Sequence, residues 1–164
     1  MENSTSKVIT PRPARFLSPE SGGTERGWQG GRSRGIRNDN PLNIRHGKSQ
    51  WVGMREKQTD KGFVQFTSRK YGYRAAFVLL HNYIRKGVNT IGKIIARWAP
   101  SSDGNNTRAY IDFVSKSTGI NASHALRWED KAELVEIVRS MAQMESGIVE
   151  DKAPIEQAYE MAKK

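Results

Sequence analysis

Four short apolar stripes, each closed by glycine or proline, constrain this chain most. From Tyr71 to Lys86, Ala76, Phe77, Leu80 and Tyr83-Ile84 recur at helical spacing, and Gly87 follows. Thr90 is placed to cap a second helix with Ile91, Ile94, Ile95 and Trp98 on one face, stopped by Ala99-Pro100. Thr107 is placed to cap a third, carrying Tyr110, Ile111, Phe113 and Val114 as far as Gly119. A fourth opens at Trp128-Glu129-Asp130 and runs to about Ser146, with Leu134, Ile137, Val138, Met141 and Met144 as its apolar positions and Gly147 at its end. Residues 154–163 can add a short final helix. Chains built this way fold as one small core of short packed helices.

Two stretches read as extended. Gln50-Trp51-Val52-Gly53 fits a short strand or turn, and Gly62-Phe63-Val64-Gln65-Phe66 alternates apolar and polar residues as a strand does. Together with the helices they predict an α+β fold, mainly α-helical, over residues 34–164. Residues 1–33 predict a flexible polar tail. Glycine, proline and serine supply 5, 3 and 5 of the first 34 positions, and the apolar residues there are isolated. Before the first helix, Asn38, Asp39, Asn40 and Asn43 surround Pro41 in an ordered, irregular loop whose side chains can bond back to the backbone.

Composition removes several chemistries. The chain has no cysteine, which excludes disulfides, a thiol nucleophile and cysteine-ligated zinc. His46, His81 and His124 are far apart in sequence, so neither a metal site nor a cofactor is expected. No apolar run reaches the length of a membrane span, and the first residues carry no apolar segment of the signal-peptide kind. The net charge is +10, with residues 49–127 holding 13 basic against 4 acidic side chains and residues 128–164 holding 5 against 9. Such a body attracts polyanions, whether nucleic acid, anionic lipid or wall polymers. The arginines are scattered and no nucleic-acid recognition motif appears, so nucleic acid is not the expected partner.

One acid stands out. Glu145 continues the 134, 138, 141 stripe of the fourth helix, in its last turn. Partial desolvation and the helix dipole would both raise its pKa, as suits a general acid, and Gly147 would let the chain turn away and leave a cleft. The plainer reading is a helix-end glutamate met by solvent or an arginine. Glu56, in the polar loop Arg55–Asp60, is the alternative acid, and Glu20 a remote third. Asparagine amides suit neutral polar ligands such as sugar hydroxyls and N-acetyl groups, and Trp51, Tyr71 and Tyr73 can stack on sugar faces.

The string Arg34-Gly35-Ile36-Arg37-Asn38-Asp39-Asn40-Pro41-Leu42-Asn43-Ile44 resembles the RGxRNxNPGNI motif of phage and prophage structural or lysozyme-like proteins. Further pieces follow in order: Trp51-Val52-Gly53, Phe63-Val64-Gln65-Phe66, Tyr71-Gly72-Tyr73-Arg74-Ala75, Ile95-Ala96-Arg97-Trp98-Ala99-Pro100, Asp103–Ile111 and Ala142–Gly147. The resemblance implies a lysozyme-like domain, circularly permuted so that Glu145-Ser146-Gly147 comes last. It implies a peptidoglycan hydrolase or lytic transglycosylase, cutting between N-acetylmuramic acid and N-acetylglucosamine with Glu145 as sole acid and base. Asn38, Asn40, Asn43, Arg45, Trp51, Gln65 and Tyr73 would then bind the glycan strand. Such a bacteriolytic protein would be made in the bacterial cytoplasm and act on the wall after release, delivery as a toxin, or packaging in a virion. A virion, a secretion system or an immunity protein would be its partner. Leu42 stands where the motif has glycine. That substitution and the missing second carboxylate favour the alternatives, a non-enzymatic virion or wall-binding protein and, after it, a basic nucleic-acid binder.

Overall fold

The computed structural model describes residues 32–164. Most of the expected 1–33 tail, and Glu20 with it, lies outside the described residues. The described chain forms α1 (Arg34–Arg37), α2 (Arg69–Arg85), α3 (Ile91–Trp98), a 3-10 turn (Ser101–Asp103), α4 (Thr107–Thr118), α5 (Lys131–Ser146) and α6 (Lys152–Lys163).

Local chemistry sets most of these boundaries. Thr90 caps α3 as expected, its hydroxyl accepting from the Lys93 N–H at 3.1 Å. The cap of α4 is Asn106, one residue earlier than expected, with Oδ1 accepting from Ala109 N at 3.0 Å. Thr107 instead donates to the Ala99 carbonyl at 2.6 Å, which ties the end of α3 to the start of α4. At the end of α5, Gly147 takes φ 73°, a left-handed conformation that glycine adopts without a Cβ penalty.

Helix α2 packs along α6, α5 lies between α4 and α6, and α3 packs on α4. Phe77 of α2 meets Tyr159 of α6 edge-on, with ring centroids 5.5 Å apart. Helix α5 is the centre of the bundle. Leu134, Val135, Ile137, Val138, Met141, Ala142 and Met144 are all buried, which occupies most of its circumference.

The expected α+β, lysozyme-like fold does not form among the described residues. The described residues are 54% helical and form no sheet. Arg45 and Phe63, and Met54 and Phe66, make isolated antiparallel bridges only. The reason lies in residues 63–66, which are all buried instead of alternating between core and solvent. Their backbone groups are met one at a time. Val64 N donates to Ile44 O at 3.0 Å, Phe66 N to Asn38 O at 2.9 Å, and Gln65 N to the Gln58 side chain at 2.8 Å. Side chains and single turns satisfy this segment, so no ladder extends from it.

Candidate functional site

The asparagine-rich segment 35–44, with Ser33 just before it, lies against the C-terminal end of α5. Four contacts hold it there. Ser33 Oγ donates to Ser146 O at 2.8 Å, and Ser146 Oγ donates to Pro41 O at 2.7 Å. Asn43 Nδ2 donates to Glu145 O at 3.1 Å. Gly35 sits so close to Ser146 that a Cβ at this position would overlap the serine side chain. The last carbonyls of α5 are therefore capped by residues a hundred positions away in sequence.

This arrangement fixes the surroundings of Glu145. Its residue is 4% exposed. Oε2 accepts from the Tyr110 hydroxyl at 3.0 Å and Oε1 from Asn43 Nδ2 at 3.3 Å. Burial pushes the Tyr110 phenol well above its usual range, and the adjacent carboxylate adds to that, so the hydroxyl stays a donor. The sequence placed Glu145 at the floor of a cleft. Here the residue is buried, and Asn43 of the 35–44 segment and Tyr110 of α4 both donate to its carboxylate.

The other expected ligand residues are also mostly interior. Asn40, wholly buried, donates to Ile44 O at 2.9 Å and Val64 O at 2.8 Å and accepts from Ile44 N at 2.9 Å. Asn38 donates to Asp60 and accepts from Gln65. The Gln65 side-chain oxygen, Oε1, accepts from Thr59 N at 2.6 Å. The Tyr73 ring is in the core and its hydroxyl donates to Glu150 at 2.8 Å. Asn43 has φ 52° and is 3% exposed; its Oδ1 is the one amide atom of this group that lacks a hydrogen-bond partner. Arg45 and Trp51 are half-buried, and Glu56 is exposed. Leu42, the departure from the motif, is fully buried in the core and has no positive φ, so it fills space without straining the backbone.

A second centre went unrecognised in the sequence. Asp60 accepts from Arg34 Nε at 2.7 Å and Nη2 at 2.6 Å, from Asn38 Nδ2 at 2.9 Å, and from the N–H groups of Gly62 and Phe63. The Arg34 guanidinium, above all, holds the Asp60 carboxyl well below the usual carboxylate range. Its signal was the Asp60-Lys61-Gly62 turn, where an aspartate bonds its own backbone two and three residues on. Beside it lies an open hollow of about 470 Å³, lined by Arg34, Arg37, Asn38, Thr59, Asp60, Lys61 and Gln65.

No protein-family model matches the chain. Over 119 residues the chain is 39% identical to Protein P5 of Pseudoalteromonas phage PM2, covering 70% of this chain and 72% of that protein. The chain belongs to the Protein P5 family. Membership in the P5 family, with the helical fold, corrects the resemblance: its phage side stands and its lysozyme-like side does not. The hydrolase, glycosidase and lytic transglycosylase readings are overturned by three findings. Among the described residues the mixed α/β lysozyme architecture does not form, no catalytic pair of glutamates is evident, and no group of three His, Asp or Glu could hold a metal ion. The toxin and bacteriolytic readings fall with them. Among the described residues of this P5-family chain, no helix is long and apolar enough to cross a membrane.

Proposed function

We propose that the chain is a non-enzymatic component of a phage particle that acts by docking. Its kinship with a phage protein carries this reading. The buried state of Glu145 supports it, because a general acid has to come within about 3 Å of the atom it protonates. The buried amides of Asn38, Asn40 and Gln65 act as internal fasteners, and Glu145 with Asn43 and Tyr110 holds the 35–44 segment to α5. Arg45 and Trp51 are the two of the expected ligand residues that are half-buried.

The test is fractionation. Phage particles from a producing host are purified on a density gradient and probed with an antibody to this chain. The chain is expected to band with the particles at fixed stoichiometry. Recovery only in the soluble fraction at the top of the gradient would defeat the proposal. Purified peptidoglycan in a zymogram gel should show no clearing with the wild-type chain.

A further inference from the structure

The hollow beside Asp60 gathers charges that are scattered in the sequence. Its lining holds Arg34, Arg37 and Lys61 against the single carboxylate of Asp60, a local excess of two positive charges. Asp60 does not cancel that excess at the mouth. Its oxygens face the two Arg34 nitrogens, the Asn38 amide and two backbone N–H groups, so Arg34 and Asp60 form a closed pair. Arg37 donates to the Arg32 carbonyl, and neither it nor Lys61 has a carboxylate within ion-pair distance among the described residues. Both are exposed. Arg45 lies against the Phe63 ring beside Arg34. Its guanidinium lies 5.2 Å from the centre of the Phe63 ring, and that of Arg34 lies 4.4 Å from the same ring.

We infer that this hollow is a docking point for the phosphodiester backbone of a double-stranded nucleic acid. Arg37 and Lys61 supply the phosphate contacts, and the Arg34–Asp60 pair fixes the loop that presents them. Two observations choose this source of phosphate. Among the described residues no aromatic ring lines the hollow, which gives no platform for the unstacked bases of a single strand. Among the described residues the exposed large hydrophobic side chains are Val52 and Val149, which leaves no apolar belt to enter a lipid surface. Contacts to phosphate alone give binding without sequence preference and with strong salt dependence. The inference is independent of the particle reading, since it rests on the hollow's charge and shape.

The test uses the full chain and a fluorescein-labelled 24-base-pair duplex of mixed sequence, titrated by anisotropy between 50 and 200 mM NaCl. Wild type should bind with micromolar affinity that falls steeply with salt. The double variant Arg37→Gln, Lys61→Gln should lose roughly tenfold in affinity at low salt, with a salt slope shallower by about two, one for each phosphate contact removed. Lys93→Gln with Lys116→Gln removes the same charge from exposed positions on α3 and α4 and should change affinity less than about twofold. Equal losses in both double variants would show that net charge alone binds, and would overturn the site. So would tighter, hollow-dependent binding to vesicles of anionic phospholipid than to duplex. Thermal melts of each variant establish that the fold is intact.

Discussion

Asn40 offers the sharpest test of how the 35–44 segment is held. Its carboxamide makes three hydrogen bonds and is wholly buried. Asn40→Ala keeps the backbone bonds of residue 40, in which its N–H donates to Gly35 O and its carbonyl accepts from Asn43 N. The Ile44 carbonyl also keeps a partner, because Val64 N donates to it at 3.0 Å. Two groups lose the bond that Asn40 gave them, the Ile44 N–H and the Val64 carbonyl. Each buried group left without a partner costs about 1–3 kcal/mol, so the variant should lose about 2–6 kcal/mol. At about 2–4 °C per kcal/mol for a chain of this size, the melting temperature should fall by roughly 10 °C. Urea unfolding followed by circular dichroism is the assay, and the midpoint should drop at unchanged slope. Asn82→Ala, at an exposed position on α2, should stay within about 0.5 kcal/mol of wild type. A loss below about 1 kcal/mol for Asn40→Ala would refute the fastening role and mean that water replaces the amide.

Gly35→Ala should cost about 1–3 kcal/mol, since its Cβ would overlap the Ser146 side chain and come within 2.9 Å of the Asn40 carbonyl oxygen; a wild-type urea midpoint would show that α1 does not press on α5. His81 should give stability a pH dependence. Burial, aided by the charge of Arg85, lowers its pKa below 6.5, so the folded state binds fewer protons than the unfolded one. That contribution is complete above the unfolded pKa and is lost as pH falls through 6.5 toward the folded value, so His81→Gln should flatten this part of the stability curve between about pH 7 and 5. A chain beginning at Arg32 should melt with the same cooperativity as the full chain, as the tail's composition predicts, and a broadened or lowered transition would place those residues in the core.

The helices were legible in the sequence because their causes are local. Apolar spacing, the Thr90 cap and the glycines at 87, 119 and 147 each act within one or two turns, and α2 to α5 follow them to within about three residues. The position of Glu145 on the inner face of α5 was legible for the same reason. Three features required the tertiary structure. The strand at residues 62–66 did not form a sheet, because its partners are side chains of Asn40 and Gln58 and single carbonyls, which a periodicity count cannot see. The capping of the end of α5 by Ser33 and Asn43 was not legible, because these residues come from the other end of the chain and such a contact leaves no trace in local spacing. The cationic hollow appeared only when Arg34 and Lys61, far apart in the chain, were brought to one rim by the bidentate pair of Arg34 with Asp60. Sequence determined α2 to α6, through interactions with near neighbours, while the short α1 lay where the sequence predicted no helix. Tertiary structure decided which polar groups are buried and which charges face solvent together, because burial and electrostatics depend on distance in space and not along the chain.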